Sequence, residues 1–163
     1  MGIWKTNANE FFSLVELLVV VAVLLALAAL SIPVLARARM SANESAVVET
    51  LRVINKAEMA YQLVFNSGFS PDLYSLGPSP APSPARADLV DEIIAGSAPG
   101  AVGFVRHGYQ ITYKQLGAYS YQITATPLTP GATGSRSFYS DHATVIRVNS
   151  SGPAGPTDPP LAN

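Results

Sequence analysis

The most apolar stretch of the chain lies near its start. Leucine, valine and alanine fill every position from Leu17 to Leu30, and a wider apolar run extends from Phe11 to Ala36. As an α-helix, a run of about 26 residues rises about 39 Å, whereas the hydrocarbon core of a bilayer measures about 30 Å. The pattern therefore predicts a helix long enough to cross a membrane.

Two residues interrupt this run in informative ways. A carboxylate at the centre of a bilayer costs roughly 2.5–3.5 kcal/mol, which makes Glu16 a functional candidate, although a place at the headgroup level would leave it partly hydrated. Pro33 removes one amide donor, and it either kinks or locally melts the helix. A removable secretory signal, with Ala26-Leu27-Ala28 as its cleavage site, and a plain single-span anchor are the rival interpretations.

The chain continues beyond Pro33 as an amphipathic helix. Apolar residues recur every three or four positions, which is the spacing of one helix face: Val47, Leu51, Ile54, Ala57, Tyr61 and Val64. Gly68 is the predicted end of the helix, with Pro71 just beyond it. Because a lone amphipathic helix must cover its apolar face, we expect this stripe to pack on a β-sheet.

A proline-rich connector separates this helix from the rest of the chain. Residues Gly77–Pro84 read Gly-Pro-Ser-Pro-Ala-Pro-Ser-Pro, which is typical of a stiff, polyproline-like segment. Its Ser79 and Ser83 are candidate glycosylation sites if the segment is exposed. A short amphipathic turn follows and ends at Gly96.

The sequence pattern from Gly103 onward predicts β-structure. Four segments have strand character and form two predicted hairpins, linked at Gly117-Ala118 and at Ser140-Asp141-His142: residues 109–113, 119–125, 135–139 and 143–148. The Pro- and Gly-rich residues 149–163 are expected to be extended or to lie along a neighbouring molecule.

Composition excludes several classes of function. The chain has 163 residues with ten basic and eleven acidic side chains, so no broad basic surface points to nucleic acid. It contains no cysteine, which excludes disulfides, thiolate zinc sites and cysteine nucleophiles. Two histidines are too few for most catalytic metal sites.

Two clusters were candidates for chemistry and both favour a plainer interpretation. Ser140-Asp141-His142 cannot form a relay by adjacency alone, since successive strand residues point to opposite faces, so Asp141 is expected to form a tight turn. Asp88, Asp91 and Glu92 lie on a predicted helix without the oxygen-rich loop that calcium prefers. The sequence therefore predicts no catalytic residues, no metal and no cofactor.

The residues around Glu16 resemble the N-terminal methylation motif of type IV pilins and type II secretion pseudopilins. Residues 12–20, Phe-Ser-Leu-Val-Glu-Leu-Leu-Val-Val, are similar to the family pattern Phe-Thr-Leu-Ile-Glu-Leu-Leu-Val-Val. Glu16 follows Phe12 by four residues, as the family's Glu follows its mature N-terminal Phe. Pro33 follows Glu16 by 17 residues, where pilins commonly carry a proline. The resemblance covers about 25 residues.

The chain departs from the family pattern at one position. The family's prepilin peptidase cuts after a glycine, whereas Phe11 precedes Phe12 here, and a phenylalanine fits poorly in a cleft built for no side chain. Cleavage between Phe11 and Phe12 with methylation of the new amine, and retention of the leader, both stay open.

The resemblance implies roles for the two interrupting residues. Glu16 would pair with the freed amine of Phe12 on a neighbouring subunit, and this pair would set the register of a helical filament. With the leader retained, Glu16 would need Lys5, a backbone amide or a proton instead. Pro33 would loosen the helix around Ala29–Val34.

The resulting prediction is a non-enzymatic α+β protein with the pilin fold, in which a long N-terminal helix (about residues 12–66) packs on a small antiparallel four-stranded β-sheet. The predicted segments are a leader (1–11), an apolar transmembrane or filament-core helix (12–36), its amphipathic half (37–67), a Pro-rich connector with a short helix (68–102), a β-sheet head (103–148) and a tail (149–163).

The resemblance also implies a function, partners and a location. The chain would be the major pilin of a type IV pilus-like filament of identical subunits, held in the bacterial inner membrane before prepilin peptidase and the assembly machinery move it to the cell surface. A type II secretion pseudopilin is the alternative within the family. A single-span, membrane-anchored binding or enzymatic domain is the alternative outside it.

Overall fold

The computed structural model describes residues 13–162, except for the side chains of residues 30 and 31. Its elements in chain order are α1 (Leu14–Phe65), a 3₁₀-helix (Tyr74–Leu76), α2 (Glu92–Ala95), β1 (Gly103–Arg106), β2 (Tyr109–Gly117), β3 (Ser120–Pro127), β4 (Ser137–Asp141) and β5 (Arg147–Asn149). The strands form one antiparallel sheet in the order β1-β2-β3-β4-β5. The chain divides into two compact units, Met1–Arg37 (the N-terminal unit) and Ala38–Asn163 (the C-terminal unit).

The core of the C-terminal unit lies between α1 and one face of the sheet. Alternate residues of β2 and β3 are buried, as the period of two requires. They meet the predicted stripe of α1, whose buried members are Val47, Leu51, Ile54, Ala57 and Tyr61. Fully burying one such aliphatic side chain stabilises the fold by about 1.5–3 kcal/mol. The predicted α+β class, with a long helix packed on an antiparallel sheet, is confirmed.

The predicted stripe is wrong at its last residue. Val64 is exposed, whereas α1 ends at Phe65, close to the predicted end at about residue 66 and before the predicted stop signal at Gly68. The backbone leaves the helix at Asn66, which adopts a φ of 49°. Gly68, at φ 93°, lies against the β2–β3 turn, where a Cβ atom would overlap the carbonyl oxygen of Ala118. The glycine is therefore needed for a close approach of two backbones.

The sheet has five strands rather than the predicted four. The additional strand, β1, pairs with β2 through the two-residue turn His107-Gly108, in which both φ angles are positive, 53° and 73°. This is the geometry that twisted hairpins favour. The strand has only four residues and begins with a glycine, so its local pattern is too weak to separate it from the preceding loop.

The second predicted hairpin differs from expectation at both strands. β4 has five residues but lies two residues later than predicted, so Ser140 and Asp141 belong to the strand rather than to the link, and β5 is shorter than expected. β4 begins at Ser137, because Ser135 and Arg136 instead bind a carboxylate on α1. β5 begins at Arg147, because the chain before it is occupied by a turn in which Thr144 adopts a φ of 61°.

The C-terminal segment folds back on its own chain. The amide of Val148 donates to the carbonyl of Pro159 (3.1 Å), and the amide of Leu161 donates to that of Ile146 (2.8 Å). The Asp158 carboxylate accepts hydrogen bonds from the side chain of Asn149 and from the amide of Gly155. Half-buried Leu161 packs against the core, which explains why this segment stays on its own unit.

Candidate functional site

The first turn of α1 places Glu16 at a helix N-terminus. Ser13 lies just before the helix; its Oγ accepts a hydrogen bond from the amide of Val15 (3.3 Å), and its carbonyl accepts one from the amide of Leu17 (3.1 Å). Ser13 and Glu16 have the Ser-x-x-Glu spacing of a capping box, which is a second role for Glu16 that can be recognised in the sequence. A carboxylate in the first turn also interacts favourably with the helix dipole, by about 0.3–1 kcal/mol.

The Glu16 side chain is nevertheless available for a partner. It is exposed, and it makes no hydrogen bond or ion pair with any residue in the range 13–162. Phe11 and Phe12, the predicted cleavage and methylation positions, lie outside the described residues.

The apolar half of α1 exposes its side chains throughout. Every described side chain from Leu14 to Leu35 is exposed, and the most apolar 18-residue window of α1 has a mean hydropathy of 3.0 with none of it buried. By length and composition, this helix is able to cross a membrane. Burial of these side chains therefore requires an apolar environment supplied from outside the chain.

Helical structure is present on both sides of Pro33. The residue lies within α1, and its missing amide leaves the carbonyl of Ala29 without the usual helical donor. One helical hydrogen bond is therefore missing at this point of an element that is helical as a whole.

Ser79 and Ser83 lie on the connector after the 3₁₀-helix. Ser79 Oγ donates to the carbonyl of Ala81 (2.9 Å), and Ser83 exchanges backbone hydrogen bonds with Arg86 (2.9 and 3.0 Å). Both serines are half-buried. The backbone of this loop is thus held by its own hydrogen bonds.

The clusters considered for catalysis or metal binding have structural roles instead. Ser140 is fully buried, and Asp141 Oδ1 accepts a hydrogen bond from the amide of Ala143 (2.9 Å), as expected for a tight turn. Asp91 caps α2 by accepting from the amide of Ile94 (2.9 Å). Within residues 13–162, no group of three or more His, Asp or Glu side chains could hold a metal ion.

Three polar residues on the buried face of α1 hold the helix to the rest of the C-terminal unit. The first is Glu44, whose carboxylate accepts from the amide of Ser135 (2.7 Å), from its hydroxyl (2.9 Å) and from the guanidinium of Arg136 (2.8 Å). Burial would raise the pKa of Glu44, but the hydrogen bonds from Ser135 and the charge of Arg136 outweigh burial and lower it.

The second of these residues is Glu58, which is fully buried. Its two oxygens accept from the amide (2.9 Å) and the hydroxyl (2.6 Å) of Ser70, while Tyr113 donates to the Ser70 carbonyl (2.7 Å). No cationic side chain within residues 13–162 pairs with it. Burial therefore raises the pKa of Glu58 despite these hydrogen bonds.

The third residue, Asn55, joins α1 to two strands. Its Nδ2 donates to Ser140 Oγ on β4 (2.8 Å), and its Oδ1 accepts from the hydroxyl of Tyr121 on β3 (3.0 Å). None of the three residues was predicted from sequence, because only apolar positions were assigned to the buried stripe. Glu44 precedes Val47 by three residues, and Asn55 and Glu58 follow Leu51 and Ile54 by four. This spacing places them on the same helix face and could have identified them.

Comparison with known proteins supports a specific family. The chain is 35% identical over 111 residues to the type IV wide pilus major component PilA4 of Thermus thermophilus, and the match covers 63% of this chain and 85% of that protein. No family model matches the chain, and no solved structure matches it. The long apolar N-terminal helix and the antiparallel sheet agree with this relationship. The chain belongs to the type IV pilin family.

Proposed function

We propose that this chain is the major structural subunit of a type IV pilus-like filament and assembles through α1. The observation that carries this proposal is the contrast within one helix: the described side chains of Leu14–Leu35 are exposed, whereas the later part of α1 buries a continuous stripe in its own unit. A membrane covers the apolar part before assembly, and the corresponding helices of other copies cover it in the filament. The relative from Thermus thermophilus is itself named a major pilus component.

In this proposal the protein performs no chemistry of its own. It is held in the inner membrane, prepilin peptidase acts between Phe11 and Phe12, and the assembly machinery adds the subunit to a filament at the cell surface. The partners are identical subunits, and no cofactor takes part.

Glu16 is the proposed register residue. A buried carboxylate needs a compensating charge, and the amine at Phe12 of a neighbouring subunit would supply it. A wrong register would leave both charges unpaired. Support comes from the exposure of Glu16 and from its lack of a partner within residues 13–162.

The test must separate this role from capping of α1, since Glu16 also has capping-box spacing. Glu16→Gln keeps a side chain able to cap the helix but removes the charge, whereas Glu16→Leu removes both. We expect both variants to reach the membrane in normal amount and to lose most sheared filament, because removing one partner of a buried pair costs about 3–5 kcal/mol.

Leu24→Ile, an apolar exchange in the same segment, serves as the control and should assemble normally. Normal filaments from Glu16→Gln would assign Glu16 to helix capping and reject the register role. If the unaltered chain remains in the membrane and never forms filaments, the single-span anchor is the better description.

A further inference from the structure

Two grooves run along opposite flanks of α1 in the C-terminal unit. The first has a volume of about 540 Å³ and lies between α1, residues 88–94 and the β1–β2 turn. The second has a volume of about 410 Å³ and lies between α1 and Thr144 in the β4–β5 turn. At 100° per residue, the α1 residues that line the two grooves flank the outward helix face, on which Glu49 and Lys56 lie about 20° apart.

The first groove is acidic. Glu49, Asp88 and Asp91 line it, together with apolar groups such as Val53 and Leu89. Arg106 neutralises Asp91 at 2.9 Å, and Glu49 pairs with Arg52 of its own helix. Asp88 is exposed and pairs with no cation among residues 13–162, while its amide is fixed by a hydrogen bond to the carbonyl of Gly77 (2.8 Å). We therefore call this surface the acidic groove.

The opposite flank carries an unpaired cation beside an apolar side chain. Lys56 is exposed and has no acidic partner in the described part of the chain, and Met59, one turn later, is 49% exposed. Both line the second groove with Arg52. The acid of the adjacent turn, Asp141, is engaged with the amide of Ala143. We call this surface, Arg52, Lys56 and Met59, the basic flank.

One ion pair, between Arg52 of the basic flank and Glu49 of the acidic groove, joins the two surfaces within one molecule, whereas Lys56 and Asp88 have no charged partner within residues 13–162. Asp88 lines the first groove and Lys56 lines the second, and no ion pair joins the two side chains. Between two copies the surfaces are complementary in charge and in polarity. A lysine stem and a methionine suit a groove lined by Val53 and Leu89, while the lysine head reaches the carboxylate of Asp88.

We propose that the basic flank of one copy docks into the acidic groove of the next copy, with Lys56 against Asp88. The occupant of the acidic groove is thus a second copy of this chain. A contact between two different surfaces is heterologous, and when its rotation does not close, it generates an open helical polymer. The proposal rests on the proposed function and specifies which lateral surfaces meet in the filament.

The absence of cysteine from the sequence permits a direct test. Filaments from a Lys56→Cys/Asp88→Cys variant are treated with a short bismaleimide cross-linker and separated on a denaturing gel. We expect a ladder of dimers, trimers and longer species, because each copy offers both halves of the contact. Each single variant should remain monomeric, and dimers from one single variant would indicate an isologous contact and overturn the proposal.

Lys114→Cys/Asp88→Cys is the matched control, because Lys114 is an exposed cation on β2. Filaments that show no ladder with the Lys56 pair, or an equal ladder with the control pair, overturn the contact but leave the proposed function intact. An unaltered chain that forms no filament overturns both.

Charge reversal gives an independent readout. Lys56→Glu and Asp88→Lys each place like charges opposite one another, and we expect each to lower the yield of sheared filament at least about tenfold. The double variant Lys56→Glu/Asp88→Lys should restore the yield. Because both positions are exposed, the membrane-held amount of each variant should match that of the unaltered chain, and failure of the double variant to recover would contradict the pairing.

Discussion

Glu58 and Glu44 lie on the same buried face of α1, yet their environments shift their pKa values in opposite directions. Burial dominates at Glu58 and raises its pKa, whereas hydrogen bonds and Arg136 lower the pKa of Glu44. The stabilising contribution of Glu58 is therefore complete below the unfolded pKa of about 4.3 and is lost as pH rises through the native value. The stabilising contribution of Glu44 is complete above its unfolded pKa and is lost as pH falls through its lowered native pKa.

Substitution of Glu58 by Gln should remove the contribution of Glu58 to this pH dependence. The variant cannot ionise, so its free energy of unfolding should improve relative to the unaltered chain as pH rises from 4 to 8, by about 1.4 kcal/mol per unit of pKa difference. The free energy of unfolding of Glu44→Gln should fall relative to that of the unaltered chain over the same pH range. This substitution should therefore be most destabilising at pH 8. Urea unfolding of the full chain in detergent, followed by circular dichroism, measures both.

Glu49→Gln is the control for this experiment, because Glu49 is exposed on the outward side of α1. It should change stability by less than about 0.5 kcal/mol at either pH. A Glu58→Gln variant whose difference from the unaltered chain is the same at both pH values would contradict the assigned effect of burial.

At the scale of the elements, the sequence predicted what local periodicity encodes. The stripe from Val47 to Tyr61 was visible because a buried helix face repeats every three or four residues. β2 and β3 were visible through alternation. β1 was missed because four residues beginning with Gly103 carry too little pattern.

The polar contacts of α1 could not be predicted in the same way. Glu44 finds its partners about 90 residues later in the chain, and Asn55 finds Ser140 at a separation of 85 residues. Local spacing can place such a side chain on the buried face, but only the folded sheet shows which group it meets. The candidate assembly residues Glu16 and Pro33 were identified from sequence because their chemistry is unusual within an apolar helix.

The prediction at the scale of the element concerns the effect of Pro33 on helix α1. Pro33→Ala restores the amide donor to the Ala29 carbonyl and raises local helix propensity by about 3 kcal/mol. We expect slower hydrogen exchange of the backbone amides of residues 29–37 in assembled filaments and a smaller extension under a given force. Pro156→Ala, in the exposed C-terminal segment, is the control; equal exchange in both variants would show that Pro33 does not loosen the helix.

At the scale of the whole molecule, the processing of the N-terminus decides what Glu16 can pair with. Intact-mass measurement of sheared filaments should give a chain that begins at Phe12 and carries one additional methyl group. A mass that includes residues 1–11 would show that the leader is retained and that Phe12 has no free amine. Glu16 would then have to pair with another group such as Lys5. The membrane-held form of the same preparation provides the unprocessed reference mass.

The folded-back C-terminal segment has a consequence for the solubility of the subunit. A sheet edge with free amides invites strands from other chains, and such pairing leads to amyloid-like aggregates. Residues 159–161 cover the edge of β5, and the two prolines among them, Pro159 and Pro160, have no amide to offer. The β5 edge of the sheet is thus closed to strand exchange with other chains.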